Sequence, residues 1–133
     1  MTKFQISIAA LLACLAATSQ AADLVVIANP AVGAITKDAV TDLFLGKSQA
    51  FTPIDQADSS SAFADFYKKT CGRDVAQVKA TWSRIVFSGK GQAPKQVADS
   101  AAVKKAVAAD PKAVGYIEKS AVDSSVKVLF SLD

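Results

Sequence analysis

Between Ile54 and Tyr67 the chain reads IDQADSSSAFADFY. Phe63, Phe66 and Tyr67 are spaced i, i+3, i+4, which predicts one apolar face of a helix. Ser59, Ser60 and Ser61 stand at the start of that helix, where a hydroxyl accepts from an unpaired backbone N–H two or three residues on. Free N–H donors and the partial positive charge of a helix N-terminus also suit an oxyanion. These residues therefore set out a candidate anion site: the hydroxyls and N–H groups of Ser59, Ser60 and Ser61, with Gln56 as a side-chain donor. A plain serine N-cap on a core-packing helix accounts for the same residues, and both readings stand. Asp55 and Asp58 read as turn chemistry just before the helix. A serine nucleophile needs an adjacent base, and the chain has no histidine. No catalytic residue, metal ligand set or cofactor is implied, and the chain reads as a non-enzyme.

The elements that must position this stretch alternate between strand and helix. Ala22 to Asn29 is a short β-branched run that suits a buried strand. Thr36 is the expected N-cap of a helix with Val40, Leu43 and Phe44 on its inner face, closed near Gly46. Ala50 to Asp55 reads as a second strand, with Pro53 marking an edge or a strand end. The serine-capped helix is expected to run to about Thr70, with Gly72 closing it. Asp74 caps the most periodic helix, Val75 to Phe87, with Val78, Trp82, Ile85 and Val86 on one face. Trp82 and Phe87 are expected in the core. Ser88-Gly89-Lys90-Gly91 reads as an exposed turn rather than a P-loop, because no strand precedes it and no Ser or Thr follows the lysine. A short strand around Val97 is the alternative to loop. Asp99 or Ser100 caps a helix that ends at Asp110-Pro111, with Val103 and Val107 inward and Lys104 and Lys105 outward. Strands follow at Val114 to Ile117, where Gly115 implies close approach of another backbone, and at Ser125 to Leu132. Between them, Lys119 to Val122 reads as a single helical turn. Alternation of this kind indicates an α/β layered domain.

The 133 residues fit one domain. Residues 1–21 read as an export signal: Lys3, an apolar run from Ile6 to Ala17, and small residues at Ser19 and Ala21. Leu11-Leu12-Ala13-Cys14 offers a lipoprotein reading of the same segment. Cys71 is then the only cysteine of the mature chain, either a buried small hydrophobe or a free thiol. The formal charge of +3 is scattered, which argues against nucleic acid as a partner and gives no reason for tight binding to anionic membranes.

Taken in order, these pieces resemble the phosphate ABC transporter substrate-binding protein family, in particular its small single-lobe members with a PBP-like domain. The segments that carry the resemblance are Val40 to Lys47 (VTDLFLGK), Ile54 to Tyr67, Trp82 to Gly91 (WSRIVFSGKG) and Val114 to Ile117 (VGYI). The resemblance implies an α/β single lobe of a type II periplasmic-binding-protein fold, a mixed sheet flanked by helices, over residues 22–133. Full-length members hold the anion between two lobes, with a binding segment that reads approximately R-x-x-G-S-G-T. On this chain the arginine position falls on Gln56, the glycine, serine and glycine on Ser59, Ser60 and Ser61, and the threonine on Ala62. The charged donor and the threonine hydroxyl are therefore absent. A charged hydrogen bond contributes about 1.5–3 kcal/mol, roughly twice a neutral one. Asp55 and Asp58 add negative charge that opposes a phosphate dianion.

Two functions of different kinds follow. The first is a periplasmic binding protein for phosphate or a similar oxyanion, working with an ABC permease. The second is a protein-interaction module that kept the lobe fold, lost tight anion binding, and docks on another envelope protein. A single lobe leaves its site open, and a homodimer is one way to close it.

Overall fold

The computed structural model describes residues 23–132. The export segment and its Cys14 alternative lie outside them. Five strands form one mixed sheet in the order β3-β2-β4-β1-β5, where β1 is Leu24–Ala28, β2 Thr52–Gln56, β3 Lys95–Val97, β4 Ala113–Glu118 and β5 Lys127–Ser131. β2 runs parallel to both β3 and β4, whereas β1 is antiparallel to both β4 and β5. Four helices complete the domain: α1 Lys37–Phe44, α2 Ser61–Phe66, α3 Val75–Phe87 and α4 Ser100–Ala109.

β1 is buried along its whole length because both faces of the sheet are covered. Leu24, Val26 and Ala28 join Val114 and Tyr116 of β4 in a cluster with Val40, Leu43 and Phe44 of α1, Phe63 and Phe66 of α2, and Val78 of α3. Val25, Ile27 and Ile117 point to the other face and meet Val103 and Val107 of α4. At Gly115 a Cβ would lie 2.6 Å from Val103 Cγ1 and 3.2 Å from the Ile54 carbonyl oxygen. That is the close approach expected from a glycine inside a strand. Pro53 falls before β3 begins to pair at Ile54, so it sits where β2 has a neighbour on one side only. The strand end, not an edge strand, accounts for it.

The helix starts follow the expected caps. Thr36 accepts from the Ala39 N–H, and Asp99 accepts from the Ala102 N–H. Asp74 and Gln77 form a full capping box at the start of α3. α2 departs from expectation: the regular helix stops at Phe66, and residues Tyr67–Cys71 form a wider π-type turn. Gly72 then ends the segment at φ 64°. The widening begins at Tyr67, whose hydroxyl reaches the buried Asp55.

α3 gives the clearest correction. Val78 is fully buried, and Trp82 is half-buried with its Nε1 donating to the Phe44 carbonyl at 3.0 Å. Val86, however, is 50 % exposed and Phe87 is 93 % exposed. The first turns of α3 lie over the core. In the last turn Ile85 approaches Gly46 and Gly91, whereas Val86 and Phe87 border an open cleft.

Candidate functional site

β2 delivers Asp55 and Gln56, both buried, to its C-terminal end. The chain then turns through Ala57 and Asp58 into Ser60, the N-cap of α2. Ser60 Oγ accepts from the Phe63 N–H at 3.1 Å, and the Ser60 N–H donates to the Ala57 carbonyl at 2.9 Å. Ser59 and Ser61 are exposed beside it. The first N–H groups of α2 have no partner within the helix. The structure thus gathers Ser59, Ser60 and Ser61 into one turn.

Gln56 sits behind that turn. Its Nε2 donates to the Tyr116 carbonyl at 3.1 Å and to Ser100 Oγ at 3.3 Å. Ser100 Oγ in turn accepts from the Glu118 N–H at 3.1 Å. Both amide protons of Gln56 are therefore engaged inside the fold, tying β2 to β4 and to the first turn of α4.

Asp55 is the residue that the turn reading misplaces. It lies on β2, 2 % exposed. Its Oδ2 accepts from the Tyr67 hydroxyl at 2.6 Å; its Oδ1 accepts from the Gln56 N–H at 3.0 Å and from the Tyr116 hydroxyl. Burial pushes its pKa up to about 6, against the three hydrogen bonds that favour the charged form. Burial and the Asp55 charge also raise both phenols, which stay neutral donors. The rings around them are packed as tightly. Tyr116 stacks on Phe66 with centroids 4.0 Å apart, and Phe44 meets Phe66 edge-on at 4.7 Å. The sequence signal available was the pair of tyrosines: a buried phenol requires a hydrogen-bond partner. Asp58 is ion-paired instead, 3.1 Å from Lys79 of α3.

Beside this cluster a cleft of about 480 Å³ opens between α2, α3 and the segment leading into β3. Phe63, Tyr67, Val78 and Trp82 line it, with Val86 and Phe87 along the end of α3. Asp55, Asp58 and Lys79 are its ionisable groups besides Tyr67. Strand and helix periodicity gave no warning of it. Cys71 lies away from this lining; its thiol is half-buried, packs against the core, and is pushed up to about 11 by burial.

The sequence matches no family model and no curated protein. The fold, in contrast, matches solved structures. One is an ABC-type phosphate transport receptor from Vibrio cholerae, at TM-score 0.62 and 22 % identity, over 82 % of this chain and 46 % of the receptor. A second is a proposed phosphate ABC transporter substrate-binding protein with bound phosphate from Clostridium perfringens, at TM-score 0.63 and 20 % identity, over 83 % of this chain and 46 % of that one. A third is PstS from Borrelia burgdorferi, at TM-score 0.60 and 14 % identity, covering 82 % and 47 %. The chain spans about half the length of the proteins it matches. It has the fold of a single lobe of a type II periplasmic binding protein, as found in phosphate transport receptors.

Proposed function

We propose that the protein is a solute-binding module of the cell envelope that takes phosphate or a similar oxyanion at the turn formed by Ser59, Ser60 and Ser61. The observation that supports it is the likeness in fold, over four-fifths of the chain, to a phosphate transport receptor and to a substrate-binding protein solved with bound phosphate. The objection raised by the two aspartates weakens at this turn. The charge of Asp58 is offset by Lys79, and Asp55 lines the neighbouring cleft, accepts from two phenols and takes up a proton near pH 6. Ligand contacts would come chiefly from backbone N–H groups and serine hydroxyls. Gln56 would join only by releasing one of its present acceptors. The export signal of residues 1–21, a periplasmic location and an ABC permease partner belong to the same reading.

Isothermal titration of the protein with phosphate, then sulfate, tests it. Saturable heat with either anion is expected, and it should fall in Ser61→Pro. Proline is tolerated at the first position of a helix while removing one N–H donor. No heat and no thermal stabilisation at millimolar phosphate would reject the reading.

One observation favours a second reading, a protein-interaction module. Phe87 and Val86 stand exposed side by side at the end of α3, and contiguous apolar exposure marks contact sites. The partner would be another envelope protein, or a second copy closing the open site. Sedimentation across a concentration series checks the second copy. A rise in mass that disappears in Phe87→Ser supports it, and a monomer throughout rejects it.

A further inference from the structure

The cleft between α2 and α3 has a character of its own, distinct from the serine turn. Its volume, about 480 Å³, lies within the roughly 300–1,000 Å³ of small-molecule sites. Aromatic and aliphatic side chains make most of its wall, with Phe63, Tyr67, Trp82 and Phe87 supplying four rings. Two carboxyl groups, Asp55 and Asp58, face one ammonium, Lys79. Lys79 already pairs with Asp58, which leaves Asp55 as the one carboxyl group of the lining without a cation beside it. Asp55 also keeps an acceptor position open. An ionised carboxylate offers about four such positions. Oδ1 takes two donors, Tyr116 and the Gln56 N–H, whereas Oδ2 takes Tyr67 alone.

We propose that this cleft binds a small organic cation, an amine carried on an aromatic or branched apolar body. The ammonium would meet Asp55 Oδ2, and the body would lie against Phe63, Val78 and Trp82. Aromatic faces attract a cation as well as an apolar group, so the rings serve both ends of such a ligand. The assignment is independent of the phosphate reading, since it uses neither Ser59 nor Ser61.

Trp82 is the only tryptophan in the sequence, so its fluorescence reports on the cleft directly. The full chain is titrated with 2-phenylethylamine and, separately, with the neutral 2-phenylethanol. A saturable Trp82 signal is expected with the amine, at an affinity roughly tenfold or more above that of the alcohol. Asp55→Asn should remove that preference. Because this variant also alters a buried cluster, the wild-type pH profile gives a second measure. Amine affinity should fall as pH drops through about 6, where Asp55 gains its proton. Of the groups facing Asp55, Tyr67, Tyr116 and Cys71 titrate well above neutrality, and Asp58 is paired with Lys79. No saturable signal with the amine, equal affinity for amine and alcohol, or a flat profile from about pH 8 to about pH 5 would each overturn the proposal. Inorganic phosphate should leave the Trp82 signal unchanged, which separates this site from the serine turn.

Discussion

Two helices of this protein carry apolar residues at the same helical spacing, and the fold treats them in opposite ways. On α2 and the turn after it, Phe63, Phe66 and Tyr67 are all buried; Phe66 meets Phe44 and Tyr116, and Tyr67 meets Phe44 and Phe63. On α3, Val78 is buried, Val86 is half exposed, and Phe87 is almost entirely exposed. Spacing states which residues share a face, but not what stands opposite that face. Opposite α2 stands the central part of the sheet, with a tyrosine on β4 and an aspartate on β2. Opposite the end of α3 stands an open cleft.

Substitutions on the two sides should differ by an order of magnitude. Phe66→Ala removes a fully buried ring stacked on Tyr116. It should cost about 4 kcal/mol in urea denaturation. A cost below about 1 kcal/mol would show that the cluster is loosely packed and would end the contrast.

Asp55 comes next. Its folded pKa of about 6 lies above the ordinary 3.8. The native state therefore holds this proton more tightly than the unfolded chain between those values. The resulting stability is complete below about pH 4 and is lost as pH rises through about 6, a change on the order of 3 kcal/mol. Asp55→Asn should abolish this slope, measured as the stability difference between the two proteins from about pH 4 to about pH 7. A parallel pair of curves would place Asp55 in contact with solvent.

Asp74→Ala removes the side-chain half of the α3 capping box and should cost about 1 kcal/mol. A much larger loss would mean that α3 contributes more to the core than its burial indicates. Phe87→Ser should change stability by less than about 0.5 kcal/mol, because the ring loses little contact. If it destabilises by more than about 2 kcal/mol, the end of α3 is covered in solution.

Local chemistry was legible wherever one residue type satisfies one backbone need. Thr36 and Asp74 are legible as caps, and Asp99 as one of two candidates with Ser100, because few residues accept from the N–H groups of a first turn. Gly72 and Gly115 were found because a positive φ and a crowded strand admit little else. The α/β layering followed from alternation of strand and helix. What escaped was whatever depends on a residue far away in the chain. Asp55 resembled turn chemistry because its neighbours are Gln56, Ala57 and Asp58. Its hydroxyl donors stand at Tyr67 and Tyr116, one of them across the sheet. Phe87 resembled core because large aromatic side chains are mostly buried, although it stands about 180° around α3 from Val78. The candidate site was legible in part: the three serines do share one turn, whereas the commitment of Gln56 to Tyr116 and Ser100 depends on β4 and α4.

The order of the strands bears on how quickly this fold can form. β1, the first strand of the described residues, lies inside the sheet between β4 and β5. Leu24 pairs with Glu118, and Val25 with Ser131. No partner for β1 is available until nearly the whole described chain exists. Sequence-distant pairing of this kind slows folding, because the loop must close before any contact rewards it. During synthesis the buried run Leu24 to Ala28 therefore waits unpaired, and the sheet closes only when its last two strands arrive.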